Sequence, residues 1–100
     1  MRAMLKAQET ENFDGFISRG TSYFKEALKK SVFFSVCEKA SAHLARGYDL
    51  KFLAELEQGH RRLYVWKLTF CGHPNELLVR LWLSPSQQVA GITLDGANHL

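Results

Sequence analysis

The sequence contains few of the residues that define several large classes of proteins. Only two cysteines and two prolines occur in 100 residues, so the chain is neither a disulfide-rich scaffold nor a proline-rich linker. The opening MRAMLKAQETE begins with basic residues but lacks the continuous apolar stretch of a signal peptide, and no uncharged apolar run is long enough to span a bilayer. We therefore expect a cytoplasmic protein without a membrane partner, in which Cys37 and Cys71 are reduced.

A strong charge of one sign is also lacking. Thirteen Lys and Arg side chains stand against ten Asp and Glu, for a formal net charge of +3. The only basic clusters are the doublets Lys29-Lys30 and Arg61-Arg62, and no aromatic residues are interleaved with them at the spacing of RNA-stacking platforms. A weak nucleic-acid contact through these doublets is therefore the last-ranked hypothesis, and we do not expect nucleic acid as a partner.

The length and composition are those of one soluble globular domain. A chain of 100 residues builds a single modest core, and 46% hydrophobic with 23% charged residues is ordinary for such a protein. We predict one domain over residues 1–100. Within it, we expect residues 1–10 to form a loose N-terminal segment, 11–47 to be helical and 50–95 to form an antiparallel sheet.

The helical half shows apolar residues at three- and four-residue steps between Phe13 and Leu28. Gly20 interrupts this pattern and Thr21 is a good N-cap, so two short helices are predicted there. A third helix is predicted from Ser31, as its N-cap, to Gly47, which suits a helix C-terminus. The apolar stripe of this third helix consists of Phe33, Val36, Cys37, Ala40 and Leu44.

The second half alternates apolar and polar residues with a period of two. Residues 50–57 alternate except at Leu53 and could also form a short helix, but a strand is favoured because Leu63–Cys71 alternates in the same way. Turns at residues 72–75 and at Pro85-Ser86 then predict a four-stranded antiparallel meander with one continuous apolar face. The expected cross-strand pairs are Phe70 with Leu77, Leu68 with Val79, Trp66 with Leu81, Leu81 with Ala90, Val79 with Ile92, and Leu77 with Leu94. The fold class is therefore α+β, with N-terminal helices packed on the sheet.

The opposite face of the predicted sheet is also half apolar. A contiguous patch of this kind is typical of an interface, so we predict a homodimer formed through it. The predicted interface residues are Leu53, Val65, Lys67, Leu78, Arg80, Trp82 and Val89. Lys67 and Arg80 fall opposite each other in this register, with Glu55 or a partner's carboxylate as the neutralising acid. The alternative is a face covered by the N-terminal segment or simply half-exposed.

The order of these segments resembles the nuclear-transport-factor-2-like and cystatin-like superfamily. The resemblance covers residues 12–95 and rests on a helical half followed by YVWKLTF, a short turn, ELLVRLWLS and the closing QQVAGITLD. It implies a curved sheet, dimerisation through the outer face of the sheet, and a small apolar cavity between helix and sheet. No residue matches the acid or histidine base of the isomerase and dehydratase members, so no activity follows from the resemblance.

A cavity for a small apolar ligand is the second functional hypothesis, in a binding or isomerase-like protein. Its predicted lining consists of Phe33, His43, Tyr64, Trp66 and Phe70, with His43 and a tyrosine as a conceivable acid–base pair. Cys71 and His73 supply only two metal ligands, whereas structural zinc needs four. We therefore predict no catalytic residue, no metal site and no cofactor. A filled core between helices and sheet would favour the interaction domain, and an open cavity with a buried polar group would favour the ligand-binding protein.

Overall fold

The computed structural model describes residues 1–96 and has an α+β architecture of helices followed by strands. The helices are α1 (Arg2–Glu9), α2 (Phe13–Ile17), α3 (Ser22–Ala27) and α4 (Lys30–Arg46). The strands are β1 (Tyr48–Gln58), β2 (Arg61–Phe70), β3 (Glu76–Leu83) and β4 (Val89–Asp95). They form one antiparallel sheet in the order β1-β2-β3-β4, so the predicted meander is confirmed.

The helix boundaries follow from local capping. The Thr21 hydroxyl accepts a hydrogen bond from the Phe24 amide at 3.1 Å and begins α3, which confirms the predicted break at Gly20. Helix α4 starts within two residues of the predicted cap. It ends at Gly47, whose φ of +118° is a conformation that glycine adopts readily.

The expectation that residues 1–10 form a loose segment is wrong. Residues Arg2–Glu9 form α1, and Leu5 is only 1% exposed within the core. Met1, Met4 and Leu5 lie on one side of this short helix at helical spacing. Because so short a helix is marginal in isolation, its burial against the rest of the domain stabilises it.

The face of the sheet that packs against the helices is called the inner face below. Two clusters of buried side chains form the core between this face and the helices. The first contains Leu5, Ala40, Leu44, Leu68, Phe70, Leu77 and Val79, and the second contains Ala7, Phe16, Phe24, Phe33, Cys37, Leu81 and Val89. The half-buried Trp66 packs against both clusters, so it joins the two halves of the core.

The predicted cross-strand pairs are each wrong by two residues. Leu77 pairs with Leu68 rather than Phe70, and Leu81 pairs with Ile92 rather than Ala90. One reason is that Phe70 accepts a hydrogen bond from the His73 amide in the turn after β2, and so lies beyond the β2–β3 ladder. Since side chains alternate with a period of two, a shift of two residues leaves each on its predicted face.

Two bulges move other residues to the opposite face. In β4 the pairing passes from Gly91 to Val89 and leaves Ala90 as an extra residue. Val89 therefore lies on the inner face and is buried, so its predicted place on the opposite face is wrong. In β1 the extra residue is Leu53, and beyond it Leu56 pairs with Leu63 on the face away from the helices. The alternation predicted for residues 50–57 would place Leu56 on the same face as Leu50 and Phe52, towards the helices, and this expectation is therefore also wrong.

Candidate functional site

The face of the sheet that points away from the helices is called the outer face. Along the central part of the strands it presents Asp49, Lys51, Leu53, Ala54, Leu56, Leu63, Val65, Lys67, Thr69, Glu76, Leu78, Arg80, Trp82, Gly91, Thr93 and Asp95. Within residues 1–96 the buried helix residues all cluster with inner-face side chains, so no helix covers the outer face. Leu53, Leu56 and Leu78 are accordingly 47%, 48% and 37% exposed.

Trp82 organises the end of the outer face nearest the β1–β2 hairpin. Its indole Nε1 donates a hydrogen bond to Gln58 Oε1 at 3.2 Å, and because β2 lies between β3 and β1, the side chain reaches across β2. Leu63 on β2 is only 5% exposed although no helix covers its face, which indicates that the indole shields it. The Arg80 guanidinium lies 5.3 Å from the centre of the indole ring. The indole is thus held in place before any partner binds.

Glycine at position 91 gives the indole the room that this arrangement needs. Gly91 pairs directly with Trp82, and a Cβ atom at position 91 would lie 3.3 Å from Trp82 Cε3. That approach is tighter than ordinary van der Waals contact, so a side chain here would press on the indole.

Two of the three basic side chains on the central part of the outer face, Lys67 and Arg80, each form an ion pair with an acid. Lys67 Nζ lies 3.0 Å from Glu76 Oε2, and Arg80 Nε lies 2.8 Å from Asp95 Oδ2. The prediction that Lys67 and Arg80 face each other is wrong, since Lys67 pairs with Leu78 and Arg80 with Val65 in the observed register. Lys67 and Arg80 are therefore separated along the sheet, but Lys67 lies directly opposite Lys51 of β1.

Glu55 does not neutralise Lys67 as expected. The bulge at Leu53 turns Glu55 to the inner face opposite Tyr64, where its carboxylate accepts a hydrogen bond from Arg62 at 2.8 Å. Hydrogen bonds from Arg62 and then from Tyr64 hold the pKa of Glu55 below its ordinary value. The group is exposed at the sheet edge, so this ion pair contributes little to stability.

Six of the seven predicted interface residues thus share the outer face, and Val89 is the exception. The predicted interface does not include Ala54, Leu56 and Leu63, which extend the apolar part of this face towards the β1–β2 hairpin. The sequence does indicate a bulge at Leu53, because an apolar residue there interrupts the alternation of apolar and polar residues in β1.

The residues predicted to line one cavity are distributed over three aromatic groups. Phe33 packs among the helices, with its ring 4.9 Å from that of Phe16. His43 stacks near Phe70 with ring centres 5.3 Å apart. Tyr64 and Trp66 stack on each other at 6.0 Å and contact Phe52. These five residues therefore do not line one cavity, and the expected acid–base pair of His43 with a tyrosine is not formed.

A wide concavity does lie next to Tyr64, between the tips of the two hairpins. Its volume is about 570 Å³, and its lining includes His60, Arg61, Arg62 and Tyr64. The arginines and the histidine at the hairpin tip are exposed. A hydrogen bond with Glu55, followed by burial, raises the pKa of Tyr64 in this concavity.

The remaining candidate chemistry concerns the cysteines and histidines. Both cysteines are free thiols, with Cys37 buried and Cys71 exposed. Burial, followed by the nearby charge of Glu11, raises the pKa of Cys37 to about 11. Among residues 1–96 no group of three or more His, Cys, Asp or Glu side chains is placed to hold a metal ion.

Comparison of the chain with protein-family models, curated proteins and solved structures found no match. None of the helices in the described part of the chain has the length and apolar character needed to cross a membrane. The outer face is therefore the feature on which a functional argument has to rest, because it combines exposed apolar side chains with an anchored tryptophan.

Proposed function

We propose that the protein is an interaction domain that forms a homodimer through its outer face. The observation that supports this most strongly is that three leucines, Leu53, Leu56 and Leu78, are exposed on a sheet face without a helix. Trp82 lies on the same face, held by a hydrogen bond to Gln58 on β1 and by the guanidinium of Arg80 on its own strand. Tryptophan and arginine are the residues that most often dominate binding energy at interfaces, and here Trp82 and Arg80 are adjacent on the face.

The charge of the outer face suits a second copy of the same chain. Asp49, Glu76 and Asp95 balance Lys51, Lys67 and Arg80 over the central part of this face, so it has no net charge there, while the whole chain has +3. Two such faces meet without net repulsion. A two-fold contact also lets each basic side chain reach an acid of the other copy.

The size of the face suggests a dimer of modest affinity. Four strands spaced by about 4.8 Å and eight residues of about 3.4 Å each give a flat area of roughly 500 Å² per copy. Two copies would bury about 1,000 Å², near the lower limit for a specific interface. We expect dissociation in the micromolar range, with Leu56, Leu78 and Trp82 as the main apolar contacts.

The resemblance to the nuclear-transport-factor-2-like and cystatin-like superfamily agrees with this proposal. In that superfamily helices cover one side of a curved sheet and the other side is free for dimerisation. The bulges at Leu53 and Ala90 supply bends of the kind that curve a sheet. That this chain belongs to the superfamily is part of the proposal.

Substitution of Leu56 by glutamate tests the dimer. Leu56 is half exposed, so Leu56→Glu adds a charge to the outer face with little effect on the core. The matched control is Phe34→Glu, at a side chain that is 40% exposed on α4, on the helical side. In sedimentation velocity over a range of concentrations, the parent and Phe34→Glu should approach twice the chain mass of 11.4 kDa, and Leu56→Glu should not.

Two results would contradict the proposal. A parent protein that stays monomeric at high micromolar concentrations would show that the outer face does not bind a second copy of the chain. A dimer that dissociates in Phe34→Glu but persists in Leu56→Glu would place the contact on the helical side instead.

A further inference from the structure

The two edges of the sheet are protected to different degrees. At the β4 edge, the connection between α2 and α3 forms a short parallel bridge in which Gly20 pairs with Val89. The Thr21 amide donates to the Val89 carbonyl oxygen at 2.9 Å, and the Val89 amide donates to the Arg19 carbonyl oxygen at 2.8 Å. At the β1 edge, no segment within residues 1–96 forms backbone hydrogen bonds with the side of β1 that faces away from β2. An edge strand with free backbone groups is a template for pairing with another strand.

The open part of this edge is the first half of β1, residues 48–52. Over this stretch β1 pairs residue for residue with residues 66–70 of β2. The bulge at Leu53 interrupts the ladder beyond it, and a bulge is one of the devices by which proteins protect a sheet edge. The helices pack mainly against other strands, α3 against β4 and α4 against β2. Residues 48–52 are therefore a regular and unprotected edge.

Two charged side chains in this stretch lack an ionic partner within the described part of the chain. Asp49 and Lys51 are both exposed on the outer face, and neither takes part in an ion pair among residues 1–96. Lys51 also lies directly opposite Lys67, whose own charge is paired with Glu76. Like charges directly opposite each other on a sheet are unfavourable. An acid on the free side of Lys51 would therefore be stabilising.

The chain itself supplies that acid if two copies of β1 pair antiparallel. A two-fold axis through Leu50, perpendicular to the sheet, puts Asp49 of each copy opposite Lys51 of the other. Leu50 then meets its counterpart, and Tyr48 lies opposite Phe52. An axis through Asp49 or Lys51 would instead put like charges opposite each other. The first half of β1 is thus complementary to itself in one register.

The apolar side chains on the inner face match in the same register. Tyr48 and Leu50 are half-buried and pack against the first core cluster, whereas Phe52 is 53% exposed. Pairing would place Tyr48 of one copy beside Phe52 of the other, and aromatic cross-strand pairs stabilise a sheet. The apolar inner face then continues from one copy to the next.

We propose that the β1 edge binds the β1 edge of a second copy and joins two four-stranded sheets into one continuous sheet. Backbone hydrogen bonds supply the attraction, and the two Asp49–Lys51 pairs fix the register. The ladder covers residues 48–52 and is about 17 Å long. Because it is smaller than the outer-face contact, we expect it to be weaker, with dissociation at about 1 mM.

This contact is separate from the proposed outer-face dimer. It uses the free side of β1 rather than the face of the sheet, and it forms only at higher concentrations because it is weaker. Leu56→Glu removes the outer-face contact, lies beyond the bulge and leaves residues 48–52 unchanged. The edge can therefore be tested in that protein whether or not the outer-face dimer exists.

The test reverses charges in the Leu56→Glu protein. Asp49→Lys leaves two lysines in the stretch and Lys51→Asp leaves two aspartates, so neither variant should pair with itself. A mixture of the two variants sets every lysine opposite an aspartate. Both positions are exposed, so the variants should fold normally. Isotope-labelled Lys51→Asp is titrated with unlabelled Asp49→Lys while its backbone amide shifts are followed by NMR.

We expect the Leu56→Glu protein to self-associate with a dissociation constant of about 1 mM and each charge variant alone to do so roughly tenfold more weakly. The mixture should regain the original affinity, with shift changes in residues 47–53. Glu26→Lys is the matched control, because it makes the same change of charge at an exposed position on α3. It should bind labelled Lys51→Asp more weakly than Asp49→Lys does, since only one of its two charge pairs is favourable.

Four outcomes would overturn the proposal. The first two are a Leu56→Glu protein that does not self-associate at millimolar concentrations and a mixture that associates no better than either variant alone. The third is a set of shift changes that lies outside residues 47–53. The fourth is equal binding by Asp49→Lys and Glu26→Lys, which would assign the association to net charge rather than to the β1 edge.

Discussion

Truncation of Trp66 to alanine should remove a large side chain that packs against both halves of the core, as Met1 and Ile92 also do. Deleting a large aromatic side chain from a core costs about 3 to 5 kcal/mol, and Trp66 is half-buried, so we expect about 3 kcal/mol. For a domain of 100 residues, this corresponds to a fall of roughly 12 to 24 °C in the unfolding midpoint. Since small domains are stable by about 5 to 15 kcal/mol, the loss is a large part of the total.

Phe52→Ala is the matched control for this experiment. The Phe52 ring lies 5.9 Å from that of Trp66 on the same inner face, but Phe52 is 53% exposed beyond the reach of the helices. Its removal should cost about 1 kcal/mol. Urea unfolding followed by circular dichroism measures both variants. Equal losses in the two variants, or a loss below 1 kcal/mol in Trp66→Ala, would refute the assignment of Trp66 to the junction of the two core clusters.

Four further predictions concern local features. A thiol reagent should modify Cys71 in the folded protein and both cysteines after unfolding without reductant, so a total of zero would contradict the free thiols. Burial raises the pKa of Cys37 to about 11. The stability that its protonated thiol contributes is therefore complete below the ordinary thiol pKa and is lost as the pH rises towards 11. Unfolding measured at a series of pH values can follow this loss. Gly47→Ala should lower stability by about 1 to 3 kcal/mol in thermal unfolding, since only glycine tolerates its backbone conformation, and an unchanged midpoint would refute this. Thr21→Ala should cost about 1 kcal/mol through the lost cap, and the neighbouring Ser22→Ala, without a cap bond, should cost clearly less.

The helices and the two faces of the sheet were largely predictable because they depend on short-range patterns. Thr21 and Gly47 mark helix ends through local chemistry, and the strict alternation from Tyr64 to Phe70 fixes which side chains point to the helices. The outer face was found for the same reason, since Trp82, Leu78 and Val65 follow from alternation alone. An error of two residues in register does not alter this assignment.

The failures arise where one residue or a tertiary contact decides the outcome. A single extra residue, Leu53 in β1 or Ala90 in β4, reverses the faces beyond it, and alternation does not reveal where the ladder resumes. The α1 helix is short and stabilised by packing of Leu5, which local propensity does not report. Of the residues that line a small cavity between α4 and β4, only Phe33 was predicted, because α1, α4 and β4 are distant in sequence and meet only in the fold.

The outer-face contact can be observed directly by NMR on a mixture of isotope-labelled and unlabelled protein, in which only contacts between different chains are detected. Proposed self-association predicts intermolecular signals from the Trp82 indole to the methyl groups of Leu56 and Leu78. Signals that arise instead from Phe34 or Val32 on the helical side, or no intermolecular signals at high micromolar concentration, would contradict it.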